Sequence, residues 1–225
     1  NVLVNLDSYT GQLSHNYYLA HTSDGRFTPL IWDVNLSFGG FTFDGASPTP
    51  LSIEQMQNLQ PLLHIENAKR PLIAQLLKVP FYKKIYAAHV RTILQDWFES
   101  GKYFEHAQEL SKRIDAAMVE DKNKHFSTDD VRKNLTSTVT VGTEKVVGIK
   151  ELLEKRTLFL KNHPFLTRPA PVFEEKNATI STQDDKTTVR IKASGAVRLW
   201  LVIRENTQKP FRYMPMFDDG NHNDS

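Results

Sequence analysis

The sequence predicts an α+β chain in two parts. Residues 1–165 carry an N-terminal β-hairpin and several helices, and residues 166–225 a partial all-β sandwich module. Three observations predict this. Aromatic and apolar runs flank Asp24-Gly25, the strongest short-range hairpin signal. Apolar residues recur at helical spacing between Ile73 and Leu160. Short β-branched runs follow Pro164, Pro169 and Pro171, which read as a stiff linker.

The elements follow in order. Val2 to Leu6 reads as the last turn of a helix ending at Asp7. The hairpin runs from Asn16 to Asp33. If Asp24-Gly25 is the whole turn, partners sum to 49, since 16 + 33 = 49, and Asn16 faces Asp33. Pro29 lacks a ladder donor, which makes its strand an edge or a bulge. Leu76, Leu77, Phe81, Ile85, His89, Ile93, Trp97 and Phe98 form one helical stripe, split or kinked at Pro80. Ser100-Gly101 ends it, and Lys102 to Val119 forms another helix. Ser127 or Thr128 caps the next. Thr143 caps a last helix through Leu160, stopped by His163-Pro164. Residues 179–182, 187–193 and 196–203 are strands by alternation, with turns at 183–186 and at Ser194-Gly195. Strands so closely spaced suggest half of an Ig-like β-sandwich. The chain lacks a starting methionine and stops in a polar loop, so it is expected to be a segment of something longer.

Composition narrows the function classes. With 40% hydrophobic and 24% charged residues, the chain is neither disordered nor collagen-like. No apolar run approaches the roughly 18–20 residues needed to cross a bilayer. A formal charge of +2 does not announce a nucleic-acid binder. With no cysteine there is no disulfide framework, thiolate nucleophile or Cys-bound zinc.

The chemistry concentrates near the amino end. Opposed strand residues share a face, with Cβ atoms roughly 4.5–5.5 Å apart. An amide carbonyl at Asn16 and a carboxylate at Asp33 could therefore reach one hard cation such as Mg²⁺. The structural alternative is that both are strand-end turn or capping residues. Asp7 adds a third oxygen group. A carboxylate at a helix C-terminus faces the negative end of the dipole, a poor place for stability and a reason to suspect function. Asp, then Asn, then Asp is the order used in phosphoryl transfer. The usual protein-kinase words are absent: no His-Arg-Asp, Asp-Phe-Gly, glycine-rich loop or Val-Ala-Ile-Lys.

Three segments, Leu6-Asp7, His15-Asn16-Tyr17-Tyr18-Leu19 and Ile31-Trp32-Asp33-Val34-Asn35-Leu36-Ser37-Phe38-Gly39, resemble the spore-coat protein CotH kinase family of atypical kinases. Weaker similarity continues in Arg70-Pro71-Leu72-Ile73 and Leu152-Leu153-Glu154-Lys155-Arg156. The resemblance covers roughly residues 1–162. It implies a kinase-like C-lobe and Mg²⁺-dependent transfer of the ATP γ-phosphoryl group to Ser/Thr hydroxyls of a protein substrate. It makes Asp7 the catalytic base, and Asn16 and Asp33 the metal- and cofactor-binding residues. Three features depart from the family pattern. The spacing from Asp7 to Asn16 is longer, Asn35 replaces a second Asp, and the nucleotide-covering N-terminal lobe is missing from this sequence. These departures favour the rival reading of a non-catalytic surface or coat assembly protein on a kinase-like scaffold. A weaker third reading is a calcium-stabilised, polysaccharide-associated module.

The remaining candidates have bland readings beside them. His15 should point away from Asn16 and orient the loop. His64, His89, His106 and His125 read as structural or surface. Tyr17, Tyr18, Phe27, Trp32, Phe38, Phe41 and Phe43 could stack an adenine, although a packed core explains them equally well. Phe38-Gly39-Gly40-Phe41 offers close approach to a ligand or a simple turn. Lys78, Lys83, Lys84 and Arg91 form a solvated face or an acidic-substrate dock. The oxygen-rich loop Asp218–Asp224 resembles loops of exported bacterial β-modules. A solvated turn competes there with a calcium site, and the likeness points to an extracellular or cell-surface location.

Overall fold

The computed structural model describes residues 1–225 except 24, 26, 185, 208, 210 and 221–225, and the side chains of 175–178. The chain divides into two compact units, Asn1–Thr167 and Arg168–Ser225. Its class is α+β: helices and small antiparallel sheets in the first unit, strands in the second.

The first unit opens with Asn1–Leu6, which is neither helix nor strand. This corrects the expected helical turn, and the pattern explains why. Val4 N donates to Asn1 O (3.3 Å) and Val4 sits at φ 51°, so the chain turns irregularly while burying Val2, Val4 and Leu6 and exposing Leu3. Phe38 N donates to Leu3 O (3.0 Å) and Gly39 N to Val4 O (3.1 Å), in place of a ladder. The antiparallel pair β1 (Tyr17–His21) and β2 (Phe27–Ile31) follows. A short α1 (Ile53–Gln57) starts at a capping box, Ser52 with Gln55. Pro80 separates α2 (Pro71–Lys78) from α3 (Pro80–Ile93) and sits at the first position of α3, where a missing N–H costs nothing. A π-helical turn, Leu94–Glu99, continues α3. Gly101, at φ 77°, then opens α4 (Lys102–Glu120).

Ser127 caps α5 (Thr128–Asn134) by accepting from Asp130 N. Arg132 grips Asp115 of α4 through two bonds of 2.8 Å. Thr143 does not cap the last helix. It lies in the turn of a small hairpin, β3 (Val139–Val141) and β4 (Glu144–Val146), with Gly142 at φ 62°. The Gly-Thr pair carries the backbone reversal there, so Gly148 opens α6 (Ile149–Lys161) instead.

Two buried clusters make the core. One gathers Val2, Val90, Leu94, Phe98, Leu153, Leu160 and Leu166. The other gathers Val4, Leu6, Leu51, Met56, Leu59, Val147 and Leu152. Among the described residues, the opening segment and α6 supply buried members to both, and Phe38 packs against both. Arg156 of α6 lies fully buried where they meet. Its guanidinium donates to the carbonyls of Asn1 (3.0 Å), Val2 (3.1 Å), Gln57 (3.2 Å) and Leu59 (2.6 Å). Burial lowers its pKa to about 10. In the second unit β5 (Val172–Gln183) pairs with β6 (Lys186–Ser194), and β7 (Leu199–Ile203) with β8 (Arg212–Met216), in separate two-stranded sheets. Among the described residues, no helix is long and apolar enough to cross a membrane.

Two outcomes follow from this packing. Arg156→Lys is expected to lower stability by roughly 2–6 kcal/mol in urea unfolding, because an ammonium lacks the planar fork, and two buried carbonyls left without donors cost about 1–3 kcal/mol each. The second concerns His163, whose Nε2 meets Gln60 Oε1 (2.9 Å) while Nδ1 accepts from Phe165 N (3.2 Å). Desolvation, then the Arg156 charge, lowers the His163 pKa below the ordinary 6.5. The unfolded chain therefore takes up this proton first. Stability from His163 is fully present above pH 6.5 and is lost as pH falls through the lower folded value. The drop in Tm between pH 7 and pH 5 should be smaller in His163→Gln than in the parent chain.

Candidate functional site

The opening segment delivers Asp7 to the edge of the core. The residue is only 7% exposed, so its carboxylate needs polar company. Two consecutive residues supply it. Asn16 Nδ2 donates to Asp7 Oδ2 (3.1 Å) and to the Asp7 carbonyl (2.9 Å). His15 Nε2 lies 3.1 Å from Asp7 Oδ1, an ion-pair distance without hydrogen-bond alignment.

His15 and Asn16 thus converge on one carboxylate, which corrects the expectation that they point apart. Strand alternation does not apply, since β1 begins only at Tyr17 and Asn16 sits at φ 58°. The hairpin register is also corrected. Tyr17 pairs with Ile31 and His21 with Phe27, so partners sum to 48. Five residues, 22–26, join the strands, with Gly25 at φ 81° and its N–H on Thr22 O (2.9 Å). A glycine at positive φ closes longer hairpin loops as well as two-residue ones, so the Asp-Gly signal was sound for the hairpin and one residue off for the pairing. Asp24 lies outside the described residues.

Asn16 and Asp33 are therefore not direct cross-strand partners. Asp33 lies two residues past β2, exposed, at φ 55°. Both expected metal ligands occupy the left-handed region, which Asn and Asp tolerate better than other non-glycine residues. Such positions cluster at functional sites. Among the described residues, no three His, Cys, Asp or Glu side chains gather as a metal cluster. The expected ligand set is one amide, Asn16, and one carboxylate, Asp33. Pro29 pairs with Leu19 in a two-stranded sheet, where every strand is an edge.

The loop from Ser8 to Ser14 is held by residues that sequence reasoning left as background. Arg70 Nη2 donates to the carbonyls of Gly11 (2.8 Å) and Gln12 (3.3 Å). His64 Nε2 bonds Thr10 O (3.1 Å) and Asp44 O (2.8 Å), while Asn67 Nδ2 approaches its Nδ1 (3.1 Å). With the proton on Nε2 the ring donates to these carbonyls while Nδ1 accepts from Asn67. Tyr9 Oη accepts from Leu72 N (3.0 Å), and its ring meets Tyr17 edge-on at 5.2 Å. The Arg70-Pro71 similarity was the available signal: the arginine ties down the loop, and the proline starts α2.

The other candidates resolve plainly. On the hairpin, Tyr18, Phe27 and Trp32 are exposed, not packed. Phe38 and Phe41 lie against the buried clusters. Gly39, at φ 80°, is a close-approach glycine, but what it approaches is the core, with Val147 and Met56 about 3 Å from where a Cβ would stand. Of the basic run, Lys83 lies over the Phe165 ring at 5.7 Å and Arg91 Nε donates to Leu166 O. Of the Asp218–Asp224 loop, residues 221–224 lie outside the described residues.

A family model described as CotH kinase protein matches residues 1–160. This chain belongs to the CotH kinase protein family. The match covers the opening segment, the hairpin and nearly all of α6, and so the whole setting of Asp7, Asn16 and Asp33. No curated protein and no solved structure matches the chain.

The loop geometry carries its own test. A Cβ on Gly11 would stand 1.6 Å from the Leu6 carbonyl oxygen, far inside contact distance. Gly11→Ala should displace the loop beside Asp7 and lower Tm by several degrees, equivalent to roughly 1–3 kcal/mol. An unchanged Tm and an unchanged amide spectrum for residues 7–16 would show that the loop is not locked.

Proposed function

We propose that this chain carries the catalytic C-lobe of a Mg²⁺-dependent atypical protein kinase that transfers the ATP γ-phosphoryl group to Ser/Thr hydroxyls of a protein. The observation that carries the reading is the buried Asp7 carboxylate clasped by Asn16, inside a region matched by the CotH kinase model. Asp7 would accept the hydroxyl proton and orient the nucleophile, as the base of a phosphoryl transferase does. Asn16 spends its amide N–H on Asp7, which leaves its carbonyl oxygen as a donor for a cation. With the exposed Asp33 this makes an all-oxygen set, which suits Mg²⁺ bound by one or two carboxylates and substrate phosphates. The ion, when bound, neutralises phosphate charge. The chain's own work is positioning. An extracellular or cell-surface location belongs to the same reading and rests on the Asp218–Asp224 likeness.

A second reading, a binding or coat-assembly scaffold without turnover, draws on Asn35 in place of an acidic residue and on Asp7 already being engaged by its neighbours. Calorimetry with ATP and Mg²⁺ on the full-length protein addresses both. Binding accompanied by transfer to a protein supports the kinase, and binding alone supports the scaffold. Asp33→Ala is expected to abolish the Mg²⁺-dependent part of nucleotide binding. Unaltered binding would remove Asp33 from the metal site.

A further inference from the structure

The clasp on Asp7 has two arms, and the kinase reading uses only one. Asn16 takes Oδ2. Oδ1 faces His15 Nε2 at 3.1 Å. That nitrogen is itself buried and has no aligned hydrogen-bond partner among the described residues, a costly arrangement unless it is satisfied at another stage of function. The rest of the ring is accessible, the side chain being 41% exposed. A carboxylate that must accept a proton from a hydroxyl works best when its plane is fixed. One hydrogen bond leaves it free to rotate about Cβ–Cγ, and a second donor on the other oxygen stops that rotation. Catalytic hydrogen bonds are often poorly aligned before substrate arrives and tighten afterwards. Asn16 sets the geometry of both arms. Its left-handed backbone breaks strand alternation and brings the neighbouring side chain to the same carboxylate.

We infer that His15 is a positioning residue for Asp7, holding Oδ1 while Asn16 holds Oδ2, so that the carboxylate presents a fixed face to the substrate hydroxyl. This rests on the kinase reading for its consequence but not for its contact. His15 touches no reacting atom in this role. It therefore acts on the chemical step and not on nucleotide affinity, because the expected cation ligands are Asn16 and Asp33.

The test has one arm for each part. In the first, Tm is measured for His15→Ala, Asp7→Asn and the double variant of the full chain. Coupled residues give a double shift clearly smaller than the sum of the single shifts. Strict additivity would overturn the contact. In the second, kinetics on the full-length protein compare His15→Ala with His15→Asn, whose amide keeps an N–H donor. The expected result for His15→Ala is a fall in kcat of at least tenfold with KM for Mg·ATP within about twofold, partly restored by His15→Asn. An active parent protein whose kcat is untouched by His15→Ala, or a loss that tracks Tm and is not rescued by Asn, would sink the inference. A parent protein that transfers no phosphate while the Tm coupling holds would overturn the kinase reading, leaving the His15–Asp7 contact established without its catalytic consequence.

Discussion

The first unit depends on one buried cation. Arg156 is satisfied by four main-chain carbonyls from two distant stretches, residues 1–2 and 57–59. A guanidinium presents its donors as a rigid planar fork, so the carbonyls must come to it in fixed directions. Losing any of them leaves a desolvated charge short of partners. The segment from Asn1 to Leu6 has no ladder of its own. What holds it is this fork at one end, Phe38 and Gly39 along its length, and three apolar side chains sunk into two clusters.

The candidate site inherits its position from that arrangement. Asp7 is the first residue after the buried alternation, so its depth is set by Leu6, fully buried one residue earlier. Beyond it the chain must leave the core, turn and return within eight residues to bring Asn16 back to the same carboxylate. Arg70 and His64 make that return reproducible by binding the carbonyls of Thr10, Gly11 and Gln12. The Thr10 and Gly11 carbonyls would otherwise be partly buried acceptors without donors. Chain length alone makes this loop look like a departure from the family pattern, yet its main chain is anchored at three consecutive residues.

Much of this was legible in the sequence, and the failures have physical causes. The helices from Pro71 to Lys161 were readable because a 3.6-residue stripe and prolines or capping residues marked them. The hairpin was readable from Asp-Gly between aromatic runs, but the pairing was not, because loop length is set by backbone angles at residues 22–26. Val2–Leu6 was misread because five residues are too few to separate a helical turn from an irregular one on apolarity alone, and the positive φ at Val4 leaves no mark in the sequence. The β3–β4 hairpin was missed because three-residue strands leave little pattern, even with Gly142-Thr143 at the turn. Of the candidate site, Asp7, Asn16 and Asp33 were nameable from motif order. The convergence of His15 with Asn16 was not, since it comes with positive φ on both sides of His15, at Ser14 and Asn16. The clamps at Arg70 and His64 bridge more than fifty residues of sequence, which no local pattern encodes.

The exposure of β2 has a consequence for how the two carboxylates live in the protein. Every residue of β2 is solvent-exposed, and a two-stranded ribbon without a covered face is only marginally stable in water. Such an element opens locally at far lower free energy than the core around it. Asp33 lies two residues past that ribbon, whereas Asp7 follows Leu6, a fully buried member of the core. Any ligand that engages both would tie a frayed rim to a rigid centre, and it would register first as protection of the ribbon's amides, with little change at the core.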